Sequence, residues 1–171
     1  MISIRHANEN DMEAILQICN HEIMQGTAFW MVTPRTLNEQ RTWFQSREEA
    51  NLPVFVAVDE KQTIVGYGSY GPFRAYDGFR HTVEHSVYVT PSAHGKGVGT
   101  MLLKALITYA ERSHVHAMIA CITGGNMASI RLHEQAGFKH GGLLPEVGQK
   151  FGEWLDLVFM YKIIFHDPEE K

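Results

Sequence analysis

The chain has 171 residues, with 44% hydrophobic and 20% charged side chains and a formal net charge of −4. That length and balance suit one globular domain with its own core, spanning residues 1–171. No apolar run reaches the ~18 residues of a membrane span, and a slightly acidic chain without a Lys/Arg block is not built to hold nucleic acid. The first residues, MISIRHANEND, turn polar at once and lack the apolar stretch of a signal peptide. Cys19 and Cys121 read as two free thiols of a reducing compartment, so the expected location is cytoplasmic. The ten histidines are scattered and show no metal-binding spacing, and His114 and His116 alone would not close a zinc site, so no metal is expected.

In chain order, Ile2 and Ile4 alternate around Ser3 as a short first strand. Asn8 or Asp11 caps a helix with apolar positions at Met12, Ile15, Leu16, Cys19 and Ile23. Residues 26–34, GTAFWMVTP, are irregular and aromatic. Thr36 and Glu39 form a capping box that opens a second helix through Trp43 and Phe44. After Pro53, VFVAVD is a strand, residues 59–63 a hairpin turn and residues 64–70 the returning strand. Residues 71–80 are a loop carrying Arg74, Arg80 and three aromatics. Residues 82–89 are the central strand, and Pro91, which cannot donate to a ladder, ends it.

A helix then runs from Gly97 to about Ser113. Residues 115–122, VHAMIACI, are apolar enough for a strand covered on both faces. The strand–helix–strand order makes it a parallel neighbour of the central strand through a right-handed crossover. Asn126 caps a last helix that stops at Gly137, and residues 138–144 and 154–165 close the sheet with a loop between them. Residues 167–171 are expected to fray. The sum is an α/β (α+β) domain with about seven strands, mixed but mostly antiparallel, and about four flanking helices.

The chemistry concentrates where the central strand turns into a helix, at VYVTPSAHGKGVGTMLL, residues 87–103. Gly95, Gly97 and Gly99 alternate with Lys96 and Val98, and helical spacing begins at Val98. Glycines let the backbone turn tightly and approach a ligand, and the open amides of a first helical turn favour an anion. A P-loop would need Gly-Lys followed by Ser or Thr, and a dinucleotide fingerprint would need Gly-x-Gly-x-x-Gly; neither frame is met. A second informative stretch runs from Asn126 through Ser129 and His133 to Gly137 and Phe138. Asn126 sits at a helix N-terminus, and Ser129 and His133 follow on roughly its face.

The two stretches together resemble the GNAT acyl-CoA transferases. His94-Gly95-Lys96-Gly97-Val98-Gly99 is similar to the family's diphosphate loop, Gln/Arg-x-x-Gly-x-Gly/Ala, with His94 in place of Gln or Arg. The 126–138 stretch resembles Asn-x-x-Ala/Ser-x-x-x-Tyr-x-x-x-Gly-Phe, with His133 in place of Tyr. Residues 79–89, FRHTVEHSVYV, and residues 147–156, VGQKFGEWLD, look like the phosphinothricin and methionine sulfoximine N-acetyltransferase branch.

That resemblance implies an acetyl-CoA-dependent enzyme for the α-amino group of a small glutamate-like amino acid, working as a homodimer. It implies that the backbone of Val87, Tyr88 and Val89 holds the pantetheine arm, that His94 to Thr100 hold the diphosphate, and that Asn126 and Ser129 touch the arm. It places Arg74, Ala75, Tyr76, Glu84, His85 and Ser86 at the amino-acid pocket. Arg80 is a second candidate for binding the substrate carboxylate, and Phe29, Trp30 and Tyr76 could wall the pocket.

Attack on a thioester needs a neutral amine, so a base is required; Glu84 is the first candidate and His85 the second. His133 stands where the family's Tyr can protonate the leaving thiolate. Cys121 has no evident activating base, and direct attack needs no covalent enzyme intermediate. Acetylation of a peptide or protein N-terminus, or of a polyamine, is the rival within the class. A non-catalytic acyl-CoA sensor would keep the loop and need no base.

Overall fold

A computed structural model describes residues 1–165, and the expected frayed tail lies outside the described residues. Seven strands form one sheet in the order β1-β2-β3-β4-β5-β7-β6. These are β1 (Ser3–His6), β2 (Val54–Val58), β3 (Ile64–Pro72), β4 (Thr82–Val89), β5 (Ala117–Thr123), β6 (Lys139–Lys150) and β7 (Glu153–Ile163). The helices are α1 (Met12–Gln25), α2 (Leu37–Glu49), α3 (Val98–Glu111) and α4 (Met127–Gln135). All neighbouring strands are antiparallel except β4 and β5, which the α3 crossover makes parallel.

Capping chemistry sets the helix starts. Asn8 and Asp11 form a capping box on a 3-10 turn that leads into α1, and Thr36 and Glu39 form one on α2. Gly97 opens α3 in a left-handed conformation, with φ of 76°. Asn126 Oδ1 accepts from the Ser129 amide at 3.1 Å and starts α4.

The sheet separates two apolar clusters. Val83, Met118, Ala120 and Ile122 pack with Leu102, Leu103 and Leu106 of α3, and Ile130 of α4 joins them. Met12, Ile15, Cys19 and Ile23 of α1 pack with Phe44 of α2, Val56 and Tyr67 on the other side. Alternation along β4 therefore sends Val83, Val87 and Val89 toward α3, and Tyr88 toward α1.

The expected loop between the last two strands is mostly strand. β6 runs on through Gly148, Gln149 and Lys150, which face Leu155, Trp154 and Glu153, after register shifts at 140–142 and 144–148. The bulge between Leu144 and Gly148 absorbs Pro145, which read as loop, and Phe151 and Gly152 make the turn with positive φ of 52° and 82°. β3 likewise extends two residues past the expected end, to Pro72. The Thr36 cap gives a direct check: Thr36→Ala should cost about 1 kcal/mol in urea unfolding, with activity retained.

Candidate active site

β4 and β5 pair over four residues only, from Thr82 opposite Ala117 to His85 opposite Ala120. Beyond that point β4 continues through Ser86–Val89 and β5 through Cys121–Thr123 without pairing to each other. β3 pairs the far side of β4 along its whole length, so one side of β4 between Ser86 and Val89 keeps polar backbone groups that lack a strand partner. A cleft of about 990 Å³ fills the opening. It is bordered by β4 from Glu84 to Val89, by β5 from Ala120 to Thr123, by the glycine loop and by α4.

The glycine loop is shaped for close approach. Gly95 and Gly97 have φ of 73° and 76°, and a Cβ at either would meet nothing within 4 Å. They are needed for conformation. Gly99 is needed for packing, because a Cβ there would lie 3.0 Å from Leu132 Cδ1 of α4. His94 Nε2–H donates to the Val89 carbonyl at 2.9 Å, which pins the loop to the end of β4. The first helical bond of α3 runs from Met101 N to Gly97 O, so the amides of Val98, Gly99 and Thr100 have no helical acceptor. An anion at this helix start is held by backbone, and no side-chain cap competes for the site.

Comparison with known proteins agrees with this geometry. The acetyltransferase (GNAT) domain family matches residues 4–159. The L-methionine sulfoximine/L-methionine sulfone acetyltransferase of Pseudomonas paraeruginosa is 48% identical over 158 residues, 92% of each chain. The solved phosphinothricin acetyltransferase of Sinorhizobium meliloti, in complex with acetyl-CoA, has a TM-score of 0.94 at 33% identity, covering 99% of this chain and 92% of that one. A ribosomal-protein-alanine N-acetyltransferase from Brucella melitensis has a TM-score of 0.92 at 48% identity, covering 94% and 99%. This chain belongs to the GNAT acetyltransferase family.

In this GNAT cleft, β4 distributes its candidates by face. Glu84 lies on the α1 side, where the Cys121 thiol donates a hydrogen bond to it. Burial first, then the Glu84 charge and this hydrogen bond, push the Cys121 thiol up to about 12. The opposing influence is the Arg74 guanidinium, so Arg74, Glu84 and Cys121 form one group at the cleft. Arg74 stacks on Phe73, 4.2 Å from its centroid, and donates to the Phe73 carbonyl.

His85 points the other way, with no bulge in β4 to re-aim it. Its ring stacks on His133 of α4, with centroids 5.0 Å apart and Nε2 to Nε2 at 3.0 Å. His133 Nδ1 faces the Ser129 carbonyl at 2.7 Å, and a carbonyl only accepts, so that nitrogen carries a proton. Neutral His133 must then accept at Nε2, and His85 Nε2–H donates to it. The His85 Nδ1 lone pair is buried and unpartnered within the protein. Burial first, then the neighbouring His133, lower the His85 pKa to about 3; burial also lowers that of His133. Both rings are neutral at pH 7. His133 borders the cleft, but both its nitrogens are engaged, so the neutral ring offers no proton there for a leaving thiolate. His85 is a hydrogen-bond acceptor and a poor base.

Of the remaining expected residues, Ser86, Val87, Tyr88, Val89, His94, Gly95, Gly97, Val98, Gly99, Thr100, Asn126 and Ser129 all border the cleft. Lys96, Ala75, Tyr76 and Arg80 do not. The 3-10 turn Asp77–Phe79 carries the 75–80 segment outward: Tyr76 is 77% exposed, and Arg80 donates back to the Asp77 carbonyl. Among the described residues Arg80 makes no ion pair with Glu84. Phe29 and Trp30 do wall the cleft, and Phe29 stacks on Tyr88 with centroids 5.3 Å apart.

Two features went unread in the sequence. Arg131 borders the cleft, and it is the only Lys or Arg between Asn126 and Gly137. Thr123 at the end of β5 accepts from Trp30 Nε1–H at 2.8 Å and donates to the Thr27 carbonyl at 2.6 Å. This tie has no sequence signature, because its partners are 93 and 96 residues apart. Among the described residues no group of three His, Cys, Asp or Glu could hold a metal ion.

The His85 burial carries a pH consequence. Unfolded, His85 takes a proton below about 6.5; folded, it does so only near 3. The unfolded state binds more protons between those values, so stability falls as pH drops through that window, by up to about 1.4 kcal/mol per pH unit. Chemical denaturation between pH 7 and pH 4 should show this slope, and His85→Phe should flatten it.

Proposed function

We propose that this enzyme transfers the acetyl group of acetyl-CoA to the α-amino group of a small glutamate-like amino acid, of the methionine sulfoximine, methionine sulfone or phosphinothricin type. The observation that carries the reading is the grouping of Arg74 and Glu84 on one side of the cleft, across the sheet opening from the glycine loop. A guanidinium there can hold the substrate carboxylate as a paired hydrogen bond, and a carboxylate can take the ammonium proton. The names of the Pseudomonas and Sinorhizobium relatives point to the same substrate class.

The residues of the cleft fit the acyl donor. The diphosphate would sit on the amides of the glycine loop and the first turn of α3, with Arg131 as the nearby cation. The pantetheine arm would pair with the open side of β4 at Ser86–Val89, as an added strand does. An amide on that edge would face the carbonyl oxygen as it gains charge. Asn126, whose Oδ1 is held by the α4 cap, keeps its amide N–H₂ for the arm.

In the reaction the amine nitrogen bonds the acyl carbon and the C–S bond breaks. The ammonium gives up two protons in all: Glu84 takes the first and passes it to solvent, and the second ends on the sulfur. Cys121, held as a neutral thiol, is no nucleophile, so attack is direct in a ternary complex. His133 and His85 act as a locked neutral pair that shapes the cleft from the α4 side.

The Brucella relative's name favours a second reading, acetylation of a polypeptide N-terminus. Against it, Phe29 and Trp30 wall the side on which Arg74 and Glu84 lie. We further infer that the chain, residues 1–171, works as one domain, that the enzyme is cytoplasmic, as the free thiols Cys19 and Cys121 suit, and that it is a homodimer. Almost all of β6, including the apolar Leu143, Leu144 and Val147, is exposed at the sheet edge, and such an edge invites a second copy.

Two variants test the assignments. Glu84→Gln should lower kcat/KM about 10²-fold or more, and the loss should shrink as pH rises and the free amine accumulates. Arg74→Ala should raise KM for methionine sulfone at least about tenfold while leaving KM for acetyl-CoA within twofold. Unchanged kinetics in either would remove that residue from its role.

A further inference from the structure

Lys150 is a buried cation that the chemistry above does not use. It is the last residue of β6, only 2% exposed, and lies one residue before the hairpin turn. Its ammonium lies against three backbone carbonyls of a distant segment: Gly26 at 2.6 Å, Phe29 at 2.5 Å and Glu22 at 3.3 Å. The Phe151 ring covers it, with Nζ 5.0 Å from the centroid. A lysine donates three hydrogen bonds, and here three carbonyls are ready to take them. Burying an ammonium is costly without such partners, so the arrangement fixes both sides.

What it fixes is the wall of the cleft. Glu22 lies in the last turn of α1 and Gly26 is its C-cap; the Glu22 carbonyl also accepts from the Gly26 amide, and the negative end of a helix attracts a cation. Phe29 lines the cleft and stacks on Tyr88 of β4. The next residue, Trp30, lies against Gly148 of β6: a Cβ there would be 2.2 Å from its ring. Its indole N–H reaches Thr123 of β5, and Thr123 reaches back to the Thr27 carbonyl. The Glu22 carboxylate closes the loop locally by accepting from the Ala28 amide at 2.8 Å. The 26–31 segment has no helix or strand of its own, and these contacts stand in place of one.

We propose that Lys150 is a positioning residue for the acceptor: its ammonium clasps the 26–31 segment and thereby sets the wall on the Glu84 and Arg74 side of the cleft. This deepens the proposed activity and rests on it. The hydrogen bonds of the clasp reach the end of α1, the 26–31 segment and Thr123 of β5, and none of them reaches the glycine loop or α4. The effect of losing the ammonium therefore falls on one substrate.

The test is Lys150→Met, which keeps the apolar stem and deletes the charge. With methionine sulfone as acceptor, its KM should rise at least tenfold, while KM for acetyl-CoA stays within twofold. Amide hydrogen exchange should quicken in residues 26–31 and stay slow in α3. Lys150→Arg, which keeps the cation, should recover part of the acceptor KM. Unchanged acceptor KM with unchanged exchange would overturn the proposal, as would an equal rise in both KM values. If Lys150→Met does not fold, Trp30→Phe serves instead: it removes the indole donor to Thr123 and should show the same one-sided rise in KM, and an unchanged KM would count against the clasp. Exchange reports on the clasp whatever the acceptor, so quickened exchange without turnover of methionine sulfone would fault the substrate class and leave the clasp standing.

Discussion

The parting of β4 from β5 after His85 and Ala120 is the constraint on which the rest of the site depends. A parallel pair that ran on to Val89 and Thr123 would satisfy its own backbone and leave no cleft. Parting the strands leaves polar groups between Ser86 and Val89 that need a partner, and a ligand with amides of its own can supply one. Other features keep the opening in place. His94 ties the glycine loop to the Val89 carbonyl, and Trp30 and Thr123 tie the α1 side to the end of β5. Gly99 lets α3 lie against Leu132 of α4 at the far wall.

Strand alternation then divides the labour. Neighbours in sequence, Glu84 and His85 face opposite sides of the sheet and meet different chemistry. Glu84 meets Cys121 and Arg74, beside the segment that ends α1. His85 meets His133 and Phe138 in an apolar setting that keeps both imidazoles neutral. The burial that makes His85 a poor base also gives it a fixed tautomer, because His133 is held by the Ser129 carbonyl. A neutral, oriented ring can hold shape next to a reacting thioester without competing for its proton. The same division bears on the thiol: burial first, then the carboxylate on its own face, keeps Cys121 protonated.

Much of this was legible in the sequence, for local reasons. The cap at Asn8 or Asp11, the capping box at Thr36, the glycine run at residues 95–99 and the Asn126 cap are short-range signals, and each marks an element start in the structure. Alternation on residues 82–89, a local signal too, puts Glu84 and His85 on opposite faces. Long-range contacts were not legible. The His85–His133 pair spans 48 residues, the Trp30–Thr123 bond 93 and the Lys150–Phe29 bond 121. Ala75 and Tyr76, placed at the pocket beside Arg74 by the resemblance, and Arg80, the second candidate, fall outside the cleft because composition does not show which way a loop turns; the 3-10 turn at Asp77–Phe79 decides it. The strand from residue 145 to 150 was hidden by Pro145 and Gly148, which a bulged edge strand accommodates.

The central claim is that one cleft joins an acyl-CoA cradle to a carboxylate-reading, amine-deprotonating pocket. The most direct measurement is release of free CoA from acetyl-CoA with methionine sulfoximine, methionine sulfone, phosphinothricin, spermidine and a short peptide as separate acceptors. Turnover confined to the three amino acids is the predicted result. Turnover of spermidine or the peptide alone would keep the cradle and contradict the pocket.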